Sequence, residues 1–341
     1  MTGTVTRFVG PVLEWNAFVG QCQGASHAHR LEWLQVIGEV FGHETIPLVT
    51  RDQSGALTGI LPLVRLRTAL FGHYLVSVPF LNYGGPLGSP DAVQALAAEA
   101  VSLGRSASAR LTELRCLVEQ PVDLPVSHRK ITVVLDLPSS ADELLQGLPA
   151  KVRSQVRRPQ KEGVTVRFGL DQVAPFYRVF ARHMRDLGTP VLPRRFFQAM
   201  ADRFGDDAWF GVAWLGEEPV AGGAGVRWLG ESEIIWASSL RAHGRIAPNM
   251  LLYWAAIERA IAEGCTRFNF GRCSPGSGTH RFKQQWGGRD VPLWWYYDSP
   301  RGAVATPSPD GGGFGLAVKV WQRLPVPVAT ALGPFIVRGI P

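Results

Sequence analysis

The sequence predicts a mixed α/β (α+β) protein that contains two tandem copies of one fold. Residues 44–66 and residues 207–229 share a pattern, in which a strand, a tight turn and a second strand follow one another. The turns fall at Gln53-Ser54-Gly55 in the first stretch and at positions 216–219 in the second. Because this spacing exceeds the period of a solenoid, it matches the repeat of a whole domain. Coincidence between two common α/β patterns is the alternative.

The correspondence continues beyond the two hairpins. Positions 73–80 and 231–238 read as third strands, and Pro90 and Pro248 then open helices. Proline suits the first helical turn because its missing N–H would have no partner there. The next strands end in the similar triplets 114–116 (Leu-Arg-Cys) and 271–273 (Gly-Arg-Cys). Both copies therefore share the order strand, hairpin, strand, helix, strand.

Helices are predicted ahead of each copy, from apolar residues at helical spacing in positions 28–41 and 173–204. Between the copies, Arg153, Arg157 and Lys161 recur every four residues and form a basic helical stripe. Pro159 is expected to kink or end that helix near Arg158. The stripe is either a binding surface or a solvated face.

These patterns divide the chain into four parts. Residues 1–140 form the first domain and residues 141–300 the second, which is expected to hold the active site. Residues 301–315, rich in Pro, Gly and Ser, form a linker. The apolar and basic segment 316–341 is expected to pack on the first domain, with the surface of a membrane as the other candidate contact.

The composition bounds the class of function. With 46% hydrophobic residues, 341 positions suffice for a sizeable core. A net charge of +7 favours anionic partners such as phosphates, tRNA or an acidic membrane face, although an arginine excess also follows from genome composition. No long apolar run is present, so a cytoplasmic protein is expected, with peripheral contact to the inner membrane. No metal or triphosphate motif occurs, and no metal is expected.

The most informative stretch runs from Ser238 to Trp286. It contains a strand, a helix, a second strand, the glycine-rich run 271–279 and then Lys283. Ligands of open α/β sheets tend to bind where strands end. The protein has five lysines against thirty arginines, so a lysine after such a loop stands out. A solvated surface lysine is the alternative.

Five segments carry a resemblance to a known family. They are 81–86 (LNYGGP), 151–163 (KVRSQVRRPQKEG), 183–197 (HMRDLGTPVLPRRFF), 247–254 (APNMLLYW) and 268–287 (FNFGRCSPGSGTHRFKQQWG), of which the last is the most specific. With them the chain resembles the FemAB-like transferases, and most of all the FemAB-related proteins of bacterial exopolysaccharide and PEP-CTERM systems. The resemblance implies two tandem GNAT-like acyltransferase domains, each a twisted mixed sheet flanked by helices.

The resemblance also implies an activity. An acyl or aminoacyl group would pass from an activated carrier to an amine on a cell-envelope or exopolysaccharide precursor, with formation of an amide. The donor would be aminoacyl-tRNA or a thioester of coenzyme A or an acyl carrier, and no tightly bound cofactor is expected. By similarity to the family's Phe-Lys pair, Lys283 would stabilise the oxyanion and Phe282 would pack against the carrier end.

The remaining site residues are candidate substrate contacts. In GNAT proteins an R-x-x-G-x-G/A loop binds a pyrophosphate; Arg241 and Gly244 fit this pattern, whereas Ile246 fills the last small position. Arginine forks suit phosphates. The full set of predicted substrate-binding residues is Tyr83, Arg153, Arg157, Arg194, Arg195, Arg241, Gly244 and Asn249, of which Tyr83 would line the acceptor groove from the first domain. The spacing does not identify a general base.

Two alternatives to aminoacyl transfer remain open. An N-acyltransferase that uses long-chain acyl thioesters to modify a lipid or sugar amine would agree with the apolar C-terminal segment. A non-catalytic binding module of an envelope or polysaccharide assembly system would agree with the basic charge.

Overall fold

The computed structural model describes residues 4–68, 71–300 and 315–340. Its strands are β1 Val5–Arg7, β2 Glu44–Arg51, β3 Leu57–Thr68, β4 Gly72–Ser77, β5 Leu87–Gly88, β6 Leu111–Cys116, β7 Val126–Ser127, β8 Ile131–Asp136, β9 Val164–Phe168, β10 Ala208–Leu215, β11 Glu218–Trp228, β12 Glu231–Ser239, β13 Arg267–Cys273, β14 Arg289–Pro292 and β15 Trp294–Asp298. Its helices are α1 Val12–Gln21, α2 Leu31–Phe41, α3 Pro90–Ser106, α4 Ala141–Gly147, α5 Ala150–Lys161, α6 Val173–Leu187, α7 Arg194–Phe204, α8 Pro248–Ala262, α9 Gly278–Gln284, α10 Gly315–Trp321 and α11 Val326–Val337. Short 3₁₀ turns lie at His27–His29, Leu170–Gln172, Gly205–Asp207 and Arg241–His243.

The chain divides into two compact units. Of the described residues, unit 1 takes positions 4–68, 71–130, 292–300 and 338–340, and unit 2 takes positions 131–291 and 315–337.

The sheet of unit 1 has the strand order β1-β2-β3-β4-β6-β15-β7, with β5 added beside β3. Its pairs are antiparallel at β1/β2, β2/β3 and β3/β4, parallel at β4/β6, and antiparallel again at β6/β15. A parallel pair needs a crossover connection, which α3 supplies between β4 and β6.

The sheet of unit 2 repeats this arrangement. Its order is β14-β8-β13-β12-β11-β10-β9, and it contains the parallel pair β12/β13, connected through α8. The two hairpins, the two third strands and the two proline-led helices of the repeat are thus confirmed, with α3 opening at Pro90 and α8 at Pro248. The prediction of a mixed α/β fold with two mixed sheets is confirmed as well.

The domain boundaries differ from the predicted ones because each sheet includes a strand from outside the predicted bounds of its domain. The prediction assigned residues 131–140 to the first domain, yet β8 pairs with β13 in unit 2. Conversely, β15 pairs with β6 in unit 1 although residues 292–300 were assigned to the second domain. Pairing between such distant strands leaves no local signal in the sequence.

Helices cover both faces of the sheet in unit 2. In β11, a Cβ at Gly222 would meet Phe176 of α6, whereas one at the adjacent Gly223 would meet Ile234, which belongs to the core cluster of α5 and α8. Because successive strand residues point to opposite faces, α6 lies on one face of the sheet and α8 on the other.

The structure corrects the predicted packing of the C-terminal segment. It was expected to pack on the first domain, but its residues 315–337 belong to unit 2. Gly188 lies against Val318 of α10, and the Arg185 guanidinium donates to the Leu324 carbonyl at 2.7 Å. From Arg338 on, the segment belongs to unit 1, where Arg338 Nη2 donates to the Phe41 carbonyl at 2.8 Å. The predicted linker 301–315 lies, except for Gly315, outside the described residues.

Candidate active site

The candidate site begins where two parallel strands of unit 2 stop pairing. The β12/β13 ladder covers three register pairs and ends with Glu233 opposite Asn269. Beyond it, β12 has an irregularity in its pairing with β11, and β13 bulges at Gly271, whose φ is +71°. Residues past this point leave the ladder between the two strands, so the carboxyl ends of β12 and β13 diverge. This is the position at which parallel strands present ligand sites.

Gly271, the first residue of the glycine-rich run 271–279, lies within β13 rather than after it. Its positive φ is a conformation that glycine adopts at little steric cost. The Gly271 N–H donates to the Asn269 side chain at 2.9 Å, and pairing with β8 resumes at Arg272 and Cys273. The strand therefore continues through the bulge and ends at Cys273, as the triplet 271–273 predicted.

Lys283 projects from α9 to the end of β13. Its Nζ donates to the carbonyl oxygens of Gly271 at 2.6 Å and Arg272 at 3.0 Å, and the residue is 3% exposed. An ammonium has three N–H donors, so one donor remains beyond these two. Burial lowers the pKa of Lys283 to about 8, while the nearby Cys273 and Glu233 partly oppose this shift. The alternative of a solvated surface lysine is wrong.

Phe282 lies in an aromatic cluster beside this lysine. Its ring stands edge-on to Tyr253 of α8 at a centroid distance of 4.9 Å and also meets Trp286 at 6.4 Å. Trp286 is fully buried, whereas Phe282 is half-buried. The cluster fixes α9, and with it Lys283, against the core of unit 2.

A histidine and a carboxylate hold the loop between β13 and α9. His280 Nε2 lies 2.9 Å from both carboxylate oxygens of Asp290, and its Nδ1 accepts from the Gly276 N–H at 2.9 Å. The Ser277 hydroxyl caps α9 by accepting from the His280 N–H. These contacts fix the end of the loop and the start of α9, the helix that carries Lys283.

A second group of polar side chains gathers at the end of β12, on the α6 face. His183 Nδ1 lies 2.9 Å from the Ser238 hydroxyl. Burial lowers the pKa of His183; Arg241 lowers it further and Asp186 opposes the shift. The histidine is therefore held neutral and can accept a proton. The segment from His183 to Phe197 contributes to the family resemblance, but the sequence did not identify His183 as a site residue. Its partner Ser238 lies 55 positions away.

The loop that resembles a pyrophosphate site is closed on itself. Arg241 and Gly244 are exposed, and Asn249 is half-buried in the first turn of α8. The amides of His243, Gly244, Ile246 and Ala247 all donate to carbonyls within residues 240–244. Amides bonded in this way are not available to a phosphate unless the loop rearranges.

The other predicted arginines differ in their surroundings. Arg194 and Arg195 are exposed in the first turn of α7, where helix N–H groups favour an anion. Arg153 differs, because its Nη1 donates to the carbonyls of Gln146 and Leu148 at 3.0 and 2.7 Å and so joins α4 to α5. Arg157 is exposed on the outer face of α5, which continues through Pro159 to Lys161 rather than ending near Arg158.

Tyr83 corrects a further prediction. It belongs to unit 1 and has no exposed surface, and its ring lies 6.5 Å from that of His27. A side chain buried in this way does not line an open groove. Its loop instead fills the divergence of β4 and β6, because the Gly84 N–H donates to the Arg115 carbonyl at 2.9 Å.

The same loop is held by a buried ion pair. Arg115 Nε donates to Glu113 at 2.5 Å, and Arg115 Nη1 donates to the Leu81 carbonyl at 2.9 Å. The carbonyl of Arg115 thus accepts from the chain's own loop, whereas its counterpart in the repeat, the carbonyl of Arg272, accepts from a lysine. Within the described residues, no cluster of His, Cys, Asp or Glu could hold a metal ion.

Comparison with known proteins agrees with this geometry. Residues 150–284, from the start of α5 to the end of α9, match a family model described as an acetyltransferase (GNAT) domain. No curated protein matches the sequence. Among solved structures, the chain is similar to a crystal structure of FemX, with a TM-score of 0.64 over 85% of this chain and 97% of that one at 14% identity.

Two further solved structures are similar. The C-terminal domain of a putative lysylphosphatidylglycerol synthetase from Agrobacterium fabrum gives a TM-score of 0.56 at 12% identity, over 85% of this chain and 92% of that one. L-PGS from Bacillus licheniformis gives 0.53 at 13% identity, over 92% and 97%. At such identities the likeness shows the fold, a mixed α/β architecture with two mixed sheets. The residues 150–284 that match the GNAT domain model lie within unit 2. No helix in the described ranges is long and apolar enough to cross a bilayer.

Proposed function

We propose that unit 2 catalyses amide formation, by transferring an acyl or aminoacyl group from an activated carrier to an amine on a cell-envelope or exopolysaccharide precursor. The observation that carries the proposal is the buried ammonium of Lys283 at the diverging ends of β12 and β13, within the range that matches a GNAT domain model. Two of its three donors are fixed on backbone carbonyls, which orients the third.

The chemistry places distinct demands on the protein. A neutral amine attacks the carbonyl carbon of the donor, and negative charge develops on the carbonyl oxygen. A preoriented cation in a water-poor site stabilises this charge strongly. Lys283 would donate its third N–H to the oxyanion, with Phe282 beside the carrier end. As the intermediate collapses, the bond to the carrier's oxygen or sulfur breaks, and the new C–N bond remains as the amide.

The amine also loses a proton, which requires an acceptor. His183 is the strongest candidate in unit 2, because its pKa is lowered and its Nδ1 is oriented by the Ser238 hydroxyl. Arg194 and Arg195 would bind a phosphate of the precursor at the start of α7. Arg157 would contribute a longer-range attraction for an anionic carrier.

The donor is best sought among carriers that do not require a coenzyme pyrophosphate loop. The amides of residues 243, 244, 246 and 247 are already bonded internally, and Ile246 occupies a position that is small in GNAT loops. Both features favour an aminoacyl-tRNA ester over acyl-CoA. Arg241 and Gly244 would then contact the carrier without forming the phosphate cradle, and Asn249 would lie beside them.

A trapping experiment tests the proposal. The purified full chain is supplied in turn with charged tRNA, acyl-CoA and acyl-carrier protein, together with hydroxylamine as a generic amine nucleophile, and the hydroxamate is measured by mass spectrometry. Hydroxamate formation above the enzyme-free rate with one donor class is expected. If long-chain acyl thioesters alone react, the N-acyltransferase alternative is correct. If no donor reacts while labelled tRNA binds in a salt-sensitive manner, the protein is a binding module.

A further inference from the structure

The two C-terminal helices carry an unusual share of the exposed apolar surface. Eleven large apolar side chains are exposed in the described part of the chain, and five of them lie between positions 316 and 335: Leu316, Val320, Val328, Leu332 and Phe335. Scattered single exposed apolar residues are normal in a soluble protein, whereas such a concentration indicates an interaction surface.

The arrangement on α11 is regular. Val328, Leu332 and Phe335 follow at intervals of four and three residues, so they form one exposed stripe, with Phe335 74% exposed. Ala329 and Gly333 are buried on another face, where a Cβ at Gly333 would come within 2.8 Å of the Val191 backbone. The helix is thus anchored to unit 2 by one face and leaves the stripe open.

The segment that carries this stripe is basic, and further arginines line a pocket beside α11. Residues 315–337 include Lys319 and Arg323 but no Asp or Glu. Beside α11, a surface pocket of about 520 Å³ has mainly apolar walls, including Val179, Leu240, Val326 and Pro327, and is also lined by Arg178 and Arg182. Both arginines are exposed, and neither guanidinium has a hydrogen-bond or ion-pair partner among residues 4–68, 71–300 and 315–340. The carboxylate in the lining, Glu218, faces His243 at 3.4 Å.

We propose that the stripe of α11 and the arginines of the adjacent pocket form a docking surface for a bilayer that contains anionic phospholipids. The stripe enters the boundary between headgroups and acyl chains, and Arg178 and Arg182 bind headgroup phosphates, whose geometry suits guanidinium forks. With 12 residues, α11 is about 18 Å long, which is too short to cross the roughly 30 Å hydrocarbon core. It therefore lies along the surface. This inference does not depend on the acyl-transfer reaction.

Vesicle co-sedimentation of the full chain tests the proposal. Binding is expected to vesicles of phosphatidylcholine mixed with phosphatidylglycerol, not to phosphatidylcholine alone, and to weaken as salt rises. The Arg178→Gln/Arg182→Gln variant should bind about 30-fold more weakly, given the usual attraction per basic residue. The charge-matched control is Arg67→Gln/Arg129→Gln, which removes two exposed arginines of unit 1 and should retain wild-type binding.

The apolar contribution is tested separately. Leu332→Ser/Phe335→Ser should weaken binding roughly tenfold or more, because both side chains would leave the lipid. The control Val9→Ser/Leu13→Ser alters side chains of unit 1 that are 93% and 81% exposed. Equal losses in test and control variants would overturn the proposal, as would absence of binding to anionic vesicles. A dimer in solution that dissociates in the Leu332→Ser/Phe335→Ser variant, without vesicle binding, would instead assign the stripe to a second copy of the chain.

Discussion

The Nζ of Lys283 lies 2.6 Å from the carbonyl oxygen of Gly271, the residue at which β13 bulges. The bulge turns this carbonyl toward α9, and the aromatic contacts of Phe282 hold α9 in place. A charge is costly to bury unless hydrogen bonds compensate for the lost water. The lysine is therefore held at the strand ends under an electrostatic strain that a developing oxyanion would relieve.

This strain should appear as a pH dependence of stability. Between pH 8 and 10.5 the unfolded chain keeps a proton on Lys283 that the folded chain has released, so the free energy of unfolding rises with pH in this window. The gain relative to Lys283→Met should reach about 3 kcal/mol. Urea unfolding of both proteins at pH values below 8 and approaching 10.5 measures it. A stability difference that does not change with pH would contradict the lowered pKa.

The His183 pair predicts a pH dependence of activity. The pKa of His183 lies below the usual value of 6.5, so its imidazole stays neutral until the pH falls below this lowered pKa. The acid limb of kcat/KM should therefore lie below pH 6.5, and His183→Gln should lower kcat/KM by about 10²–10⁴-fold and abolish that limb. Ser238→Ala should shift the limb while retaining most activity. The control His73→Gln, in unit 1, should leave the profile unchanged; an unaltered profile in His183→Gln would exclude the histidine as base.

Substitutions of two arginines of α5, Arg153 and Arg157, should affect stability differently. Arg153 bonds to two carbonyls at the end of α4, so Arg153→Ala should destabilise the protein by about 1.5–3 kcal/mol. Arg157 is exposed, and Arg157→Ala should change stability by less than about 0.5 kcal/mol. If the helix attracts an anionic carrier, the Arg157 variant should instead raise KM and reduce its salt dependence. Thermal unfolding and steady-state kinetics of both variants distinguish the two roles.

The filled strand ends of unit 1 predict a stability effect at Arg115. Arg115→Met leaves Glu113 buried without its cation, which should cost about 3–5 kcal/mol. Replacing both partners, in Glu113→Leu/Arg115→Met, should recover much of this loss because no charge remains buried. Denaturant unfolding of the single and double variants completes the cycle. A double variant no more stable than Arg115→Met would show that the loop contacts of Arg115, rather than the ion pair, dominate.

Local patterns predicted the fold well. The helices that open at Pro90 and Pro248, and the hairpins with their turns, follow from residues adjacent in sequence. The exchange of β8 and β15 between the two sheets did not, because such pairing joins strands more than a hundred positions apart in sequence. The prediction for the C-terminal segment was wrong for the same reason, because the contact between Leu324 and Arg185 of α6 joins residues 139 positions apart.

The candidate site shows the same division. The lysine could be singled out from its position after a strand and a glycine-rich run, but its partners could not, because they are backbone carbonyls exposed by a bulge. Tyr83 was predicted to line the acceptor groove, but the loop that carries it is bonded to Arg115 inside unit 1. The sequence did not identify His183, because the Ser238 hydroxyl that orients it lies on β12 and comes close to His183 only in the folded protein.

The most direct test of acyl transfer by unit 2 is the rate of amide formation in Lys283→Ala, with Lys151→Ala as the control at an exposed lysine and circular dichroism as the check on folding. Loss of an oxyanion donor removes about 2.7–4 kcal/mol of transition-state stabilisation, so turnover by Lys283→Ala should fall by about 10²–10³-fold while Lys151→Ala matches the wild type. Wild-type turnover in a folded Lys283→Ala protein would contradict the proposed role of this lysine.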